Sequence, residues 1–164
     1  MKLTRAKGTG QPMVYVTTRS SMRPDDIAAR MGELFNRLEL FFGESSVRPA
    51  GPPLAIYRDW DGDGMTIEVG FPVAQGDLAK AHGDVLAGHA PQGDAAKVLH
   101  RGSYDTLRDT YGEMEQEMKR LGIAMGPLAW EVYLGDPGKT PEEDLLTEIY
   151  MAVSPEDAAR MDAA

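Results

Sequence analysis

Two copies of one apolar pattern make up most of this sequence, and the repeat limits how the chain can fold. Five large side chains recur at spacings of three and four residues in the first half, and five more follow 80 positions later. This spacing places each set on one face of an amphipathic helix. The two sets are Ile27, Met31, Leu34, Leu38 and Phe41, and Leu107, Tyr111, Met114, Met118 and Leu121. A duplicated unit predicts two similar lobes with a ligand crevice between them.

The strands after each helix also correspond, except at one charged position. The segment Leu54–Tyr57 aligns with Trp130–Tyr133. Within that alignment, Glu131 stands where the first half has Ala55. An acidic side chain in place of a methyl group breaks the symmetry of the repeat, so Glu131 is the first candidate for a functional residue.

Each half predicts the order strand, helix, strand, strand. In the first half Met13–Thr18 is rich in β-branched residues, and a hairpin follows the helix from Leu54 to Val73 with its turn at Asp61–Gly64. The second half has the strand Ala95–His100, a helix that ends at Leu121, and the strands Leu128–Leu134 and Leu146–Val153. The predicted fold class is α+β: a duplicated strand-helix-strand-strand unit with pseudo-two-fold symmetry, a mainly antiparallel sheet with helices on one side, and a central ligand groove.

Length and composition predict a single domain over residues 1–164, long enough to bury a core without disulfides. Its repeat halves span about residues 12–74 and 94–154, and residues 75–93 form a connector. Cysteine is absent, which excludes disulfides and a cysteine nucleophile. No apolar run is long enough to span a membrane and the N-terminus lacks the apolar segment of a signal peptide, so we expect a cytoplasmic protein.

The charge balance disfavours nucleic acid as a partner. The formal net charge is −9 and the 17 Lys and Arg residues are scattered, so the chain repels a phosphate backbone. The expected partner is a small hydrophobic or cationic molecule, with no direct contact to nucleic acid or membrane. A protein partner and a homodimer stay open, and no cofactor is expected.

Two groups of residues suggest metal binding, and neither fits it. Asp59–Gly64 resembles the opening of a calcium loop, but Gly70 stands where the closing glutamate belongs and no helices flank the segment. His82, His89 and His100 have no spacing that suits a helical ligand pair. We therefore expect a hairpin turn in the first case and no metal site.

Alternation along the strands predicts which side chains share a face. Glu131 and Tyr133 point to one side of their strand, and Glu148 and Tyr150 point to one side of theirs. A register that pairs Glu131 with Tyr150, and Tyr133 with Glu148, brings all four into one patch.

The same register in the first half pairs Tyr57 with Glu68 and centres the hairpin between Gly62 and Asp63, at the turn that the sequence predicts.

Carboxylates among aromatic rings suit a cation. Desolvation raises the pKa of a carboxyl group, which would bring a general-base role within the reach of Glu131. The alternative is a solvated glutamate on a half-exposed strand beside an ordinary cross-strand tyrosine.

Three short motifs occur in order: His100–Tyr104 followed by Leu107 and Tyr111, then Trp130–Tyr133, then Thr147–Tyr150. Together they resemble the gyrase-inhibitor-like small-molecule-binding domain. This domain also serves as the effector-binding module of AraC- and MerR-type multidrug-responsive regulators. The resemblance covers nearly the whole chain and implies a two-lobed α+β domain whose groove holds hydrophobic, often cationic, compounds. Such regulators carry a separate DNA-binding domain, whereas about a dozen residues precede the first predicted strand here, so we do not expect a complete transcription factor.

The resemblance implies a groove glutamate at Glu131 with aromatic residues around it. Glu148 and Tyr150 match positions that line the groove in such regulators. Some stand-alone members resemble hydrolases of strained electrophiles such as cyclopropanoids, in which Glu131 and Glu148 would be the catalytic residues. The ligand-binding residues that we expect are Glu131, Tyr133, Glu148, Tyr150, Tyr57, Tyr104, Glu68 and Trp130.

These observations give three hypotheses of function. The first is a stand-alone protein that binds or sequesters a hydrophobic or cationic compound, with Glu131 as its electrostatic anchor. The second is a hydrolase in which the same glutamate activates water against an electrophilic small molecule. The third is a protein–protein inhibitor of a nucleic-acid enzyme such as gyrase, which would act through its acidic surface.

Overall fold

The computed structural model describes residues 1–162, which fall into two compact units. One unit is Thr9–Pro91, and the other joins Met1–Gly8 to the chain from Gln92 onward. The strands are β1 (Thr4–Thr9), β2 (Pro12–Ser20), β3 (Leu54–Arg58), β4 (Met65–Pro72), β5 (Leu86–His89), β6 (Gln92–Arg101), β7 (Leu128–Leu134) and β8 (Leu146–Ala152). The helices are α1 (Pro24–Glu44), α2 (Leu107–Leu121) and α3 (Pro155–Asp162), and short 3-10 helices lie at Gln75–Lys80, Tyr104–Thr106 and Glu142–Asp144.

In the unit Thr9–Pro91, helix α1 packs on an antiparallel sheet with the strand order β3-β4-β2-β5. The helix begins at Pro24, whose fixed φ and missing N–H suit a first turn. Its buried face consists of Leu34, Leu38 and Phe41, three of the five residues in the first repeated set. The apolar periodicity therefore identified the face that the helix turns toward the strands.

In the other unit, β6, β8 and β7 pair antiparallel in that order, and α2 buries Met114 and Met118. The helix ends at Leu121, and Gly122, which caps it, has a φ of 72°. The N–H of Ile123 donates to the carbonyl of Met118 at 2.8 Å, which satisfies a carbonyl that the helix end would leave open. Helix α3 follows β8, packs against β6 and buries Ala158.

The predicted α+β class and the order strand, helix, strand, strand in each half are confirmed, as β2-α1-β3-β4 and β6-α2-β7-β8. The sequence patterns missed β1, β5 and α3. Strand β5 lies within the predicted connector and forms by pairing with β2, a tertiary contact that its sequence Leu-Ala-Gly-His does not encode as local propensity. Among residues 1–162, no helix is long and apolar enough to cross a membrane.

The register predicted for both hairpins is wrong by one residue. In the second hairpin Glu131 pairs with Ile149, and Tyr150 pairs with Trp130 instead. In the first hairpin Glu68 pairs with Ile56, not with Tyr57. A slip of one residue moves a side chain to the other face of a sheet, so the four-residue patch predicted from the sequence does not form.

The cause of the slip is visible in the first hairpin turn. The last paired residues, Arg58 and Thr66, are separated by the seven residues 59–65. An odd number centres the hairpin on Gly62, whereas the predicted two-residue turn centres it between Gly62 and Asp63. Within this connection Asp59 has a left-handed φ of 54°.

The end of α2 allows a matched test of this fold. We expect Gly122→Ala to destabilise the protein by about 1–2 kcal/mol, because alanine is strained in the left-handed conformation. Gly112→Ala, in the middle of the same helix, is the control. A Cβ there meets no atom within 4 Å, and the change should stabilise by about 0.5–1 kcal/mol. Urea unfolding of both variants measures the change in the free energy of unfolding. A change of the same sign in both would contradict the left-handed conformation of Gly122.

Candidate functional site

The strands β6, β8 and β7 carry different chemistry on their two faces. Directly paired residues share a face, so the register defines both sets. The face toward α2 carries His100, Thr147, Glu131 and Tyr133. The opposite face carries Lys97, Glu148, Tyr150 and Trp130.

Glu131 lies buried between strand and helix and is 3% exposed. Tyr133, two residues further along β7, donates a hydrogen bond to Oε1 of Glu131 at 2.5 Å. Tyr111, on α2, donates to its Oε2 at 2.6 Å. The carboxylate is thus held from two elements by neutral hydroxyl groups, which stabilise a buried acceptor without adding positive charge.

Tyr104 extends this cluster toward solvent. Its ring packs edge-to-face against Tyr133, with 5.6 Å between the ring centroids, and the residue is 37% exposed. Burial raises the pKa of the Tyr104 phenol, and the negative charges of Asp136 and Glu131 raise it further. We call Glu131, Tyr111, Tyr133 and Tyr104 the glutamate cluster.

The first repeat unit has no such arrangement at the equivalent positions within Thr9–Pro91. Ala55, the counterpart of Glu131, is fully buried. The hydroxyl of Tyr57, the counterpart of Tyr133, contacts the sulfur of Met31 at 4.0 Å, and Met31 is the counterpart of Tyr111. The second unit has therefore replaced an alanine and a methionine by a carboxylate and a phenol that bond to each other.

Glu148 and Tyr150 form a separate cluster on the opposite face. The ammonium of Lys97 binds Glu148 at 2.6 Å, and the Tyr150 hydroxyl donates to the same carboxylate at 3.1 Å. Trp130 stacks on Tyr150 with 5.0 Å between the ring centroids. The hydrogen bond to Glu148 raises the pKa of Lys97, while burial is the main cause that raises the pKa of Tyr150. We call these four residues the lysine cluster.

A recess of about 550 Å³ adjoins the lysine cluster. Glu148 and Lys97 line it together with Glu113 of α2 and residues near the N-terminus. Glu131 and the tyrosines of the glutamate cluster do not line this recess. The two glutamates that the sequence pattern grouped therefore face different surroundings.

The structure distributes the eight predicted site residues over three places. Glu131, Tyr133 and Tyr104 come together, and Glu148, Tyr150 and Trp130 lie on the other face of the strands. Tyr57 and Glu68 belong to the unit Thr9–Pro91, where Glu68 binds Arg58 at 2.9 Å. Their participation in one site with Glu131 stays a prediction.

The sequence prediction did not include Tyr111 or Lys97 among the site residues. Tyr111 occupies a position of the apolar helix face, a spacing that is typical of core residues. The usable signal was the repeat itself, because Tyr111 replaces Met31 just as Glu131 replaces Ala55. Predicting Lys97 as a site residue would have required the pairing of β6 with β8, which places Lys97 beside Tyr150.

The acidic segment that resembles a calcium loop is a hairpin connection. Oδ1 of Asp61 accepts the backbone N–H groups of Asp63 at 2.8 Å and Gly64 at 3.0 Å. Oδ2 of Asp61 accepts from Arg19 at 3.0 Å. These bonds use the carboxylate to close the turn, and the bond from Asp63 is the main cause that lowers its pKa.

Comparison with known proteins identifies the domain type. The model of the GyrI-like small-molecule-binding domain matches residues 9–154. No curated protein sequence matches this chain.

Solved structures share the fold at low sequence identity. The C-terminal domain of EcmrR is 19% identical with a TM-score of 0.72, and the match covers 94% of this chain and 99% of that one. SAV2435, solved bound to tetraphenylphosphonium, is 12% identical with a TM-score of 0.68 and 96% coverage of both chains. A hydrolase from Listeria innocua is 17% identical with a TM-score of 0.58, covering 93% of this chain and 92% of that one.

Titration of Tyr104 tests whether Glu131 and Tyr104 interact electrostatically. We expect Glu131→Gln to lower the pKa of the Tyr104 phenol, because a nearby negative charge opposes formation of the phenolate. Asp136→Asn should lower it more, since Asp136 makes the larger contribution. NMR titration of the tyrosine ring carbons measures both changes, with Glu148→Gln as the control. A Tyr104 pKa unaffected by Glu131→Gln would contradict this electrostatic interaction.

Proposed function

This chain belongs to the family of GyrI-like small-molecule-binding domains, and on that premise we propose that it binds a hydrophobic cation with Glu131 as the anchor. The observation that carries the proposal is the buried carboxylate of Glu131, held by the hydroxyls of Tyr111 and Tyr133. The role is sequestration or sensing of the bound compound, without chemical change to it.

Electrostatics favour Glu131 over Glu148 as this anchor. Attraction between opposite charges grows as water is excluded, and Glu131 is almost completely buried. Its two tyrosine hydroxyls orient the carboxylate without bringing a positive charge. Glu148 already binds the ammonium of Lys97, which makes it the poorer anchor for a second cation.

The aromatic part of the glutamate cluster suits the hydrophobic part of such a ligand. The partly exposed ring of Tyr104 packs edge-to-face against the buried ring of Tyr133. An aromatic face attracts a cation by its electron density and also covers apolar groups. We therefore assign Tyr104 and Tyr133 as the rings that contact the ligand, while a groove between the two halves stays a prediction.

The comparison with SAV2435 supports the class of ligand. That protein was solved with tetraphenylphosphonium, a cation whose charge is wrapped in four phenyl rings. A shared fold at 12% identity does not carry over contacts, so the argument for Glu131 rests on the chain's own geometry. Tetraphenylphosphonium is nevertheless a well-defined first probe.

A hydrolytic function is the second candidate, because the same cluster joins a carboxylate to two hydroxyls. A carboxylate can take a proton from water while a hydroxyl stabilises developing negative charge. Two of the structural neighbours are named hydrolases. Release of a ring-opened product from a cyclopropyl ketone, lost in Glu131→Gln, would favour this candidate over simple binding.

The binding proposal predicts a selective effect of two glutamate substitutions. Glu131→Gln should weaken tetraphenylphosphonium binding at least about tenfold, equivalent to about 1.4 kcal/mol, because it removes the charge and keeps the shape. Glu148→Gln is the matched control and should leave the affinity unchanged within about twofold. Isothermal titration calorimetry on the three proteins measures the difference.

The opposite ranking would contradict the proposal. If Glu148→Gln weakens binding and Glu131→Gln does not, the cation binds at the lysine cluster. Equal affinity in all three proteins would mean that neither carboxylate serves as an anchor.

A further inference from the structure

We propose that Thr147 is a second polar contact of the Glu131 site, and that the preferred ligand is therefore a cation with N–H donors, such as a protonated amine or amidine. This inference rests on the proposed function and narrows its ligand class. The inference predicts that the site prefers cations that can donate hydrogen bonds over quaternary cations of equal charge.

The buried hydroxyl of Thr147 is the starting observation. Thr147 is 0% exposed, and its Oγ1 has no hydrogen-bond partner among residues 1–162. Buried hydroxyl groups in folded proteins nearly always have a partner, because a hydroxyl without one has lost its bonds to water and gained nothing. The missing partner of Thr147 thus requires an explanation.

The position of Thr147 places it beside the glutamate cluster. It pairs directly with Tyr133 on β7, and Glu131 lies on the same face, opposite Ile149 two residues further along β8. Diagonal neighbours of this kind have Cα atoms roughly 7–8 Å apart and side chains that approach more closely. Glu131 and Thr147 are therefore neighbours on the face toward α2, and the proposal assigns both to one small polar group of the ligand.

Neighbouring polar side chains are engaged elsewhere. His100, which pairs with Thr147 from the other side, places Nδ1 at 2.7 Å from Oγ1 of Thr110 and Nε2 at 2.9 Å from the carbonyl of Ser103. The Tyr133 hydroxyl donates to Glu131. Thr147 is thus flanked by two polar residues, and the hydrogen bonds of both are directed to other groups.

The repeat shows that a hydroxyl is not needed for packing at this position. The equivalent residue of the first unit is Ile67, which pairs with Tyr57 as Thr147 pairs with Tyr133, and which is fully buried. The second unit therefore differs from the first at two neighbouring positions, with Glu131 for Ala55 and Thr147 for Ile67. Both differences add polar atoms to the face beneath α2.

The chemistry of these two residues selects the ligand. An ionised carboxylate accepts hydrogen bonds, and a threonine hydroxyl accepts as well as donates. A protonated amine has several N–H donors, so one can bind Glu131 while another binds Oγ1 of Thr147. A quaternary ammonium or phosphonium ion offers Glu131 its charge but has no hydrogen to give to Thr147.

A matched pair of cations tests this assignment in the full-length protein. The probes are biphenylylmethylammonium and its N,N,N-trimethyl derivative, which share one hydrocarbon and one charge. We expect Thr147→Val to weaken binding of the primary ammonium about fivefold, the equivalent of one hydrogen bond, and to leave the trimethyl probe unchanged. Thr147→Ser keeps the hydroxyl and should retain the preference for the primary ammonium. Glu131→Gln should weaken both probes.

The outcomes separate this inference from the proposed function. If both probes bind in a Glu131-dependent manner and Thr147→Val affects them equally or not at all, the assignment of Thr147 is overturned and the Glu131 anchor stands. If neither probe shows Glu131-dependent binding, the proposed function fails and the assignment of Thr147 fails with it.

Thermal stability without ligand gives an independent check. Thr147→Val removes a buried hydroxyl that lacks a partner and should raise Tm by about 2–4 °C. Thr110→Val is the control, because it removes the hydroxyl that bonds His100 and should lower Tm. A fall in Tm for Thr147→Val of the size seen for Thr110→Val would show that the Thr147 hydroxyl already has a partner inside the protein, which overturns the proposal.

Discussion

The hydrogen bonds from Tyr111 and Tyr133 to Glu131 are the interaction on which this account depends. A buried carboxylate is costly unless its oxygens find donors, and here each oxygen accepts a phenol hydroxyl. One phenol comes from β7 and the other from α2, so the carboxylate ties the helix to the strand beneath it. The same contacts fix where a negative charge sits inside the domain.

The pairing register decides which acidic residues can cooperate. Because β7 pairs with β8 through Glu131 and Ile149, Glu148 is turned to the opposite face and binds Lys97. One face then holds a carboxylate that accepts two phenol hydroxyls, and the other holds an ion pair beside two stacked rings. The two faces offer different ligand chemistry even though their residues alternate along the same strands.

Much of this fold was predictable from the sequence, since apolar spacing identified the buried faces of α1 and α2 and the repeat gave the order of elements. The repeat also identified Glu131 by comparison with Ala55. The surroundings of Glu131 were harder to predict from the sequence, because both hairpin connections have an odd number of residues. Glu148 therefore pairs with Val132 and Glu68 with Ile56, not with the tyrosines that the predicted register gave them. Tyr111 has the spacing of a core residue, and only its partner shows that its hydroxyl matters.

A crystal structure with (bromophenyl)triphenylphosphonium tests the central claim most directly, because the anomalous signal of bromine locates the ligand without ambiguity. The account predicts the phosphonium centre beside the Glu131 carboxylate, with a phenyl ring against Tyr104. A cation bound beside Glu148 and Lys97, or at a surface remote from Glu131, would contradict it.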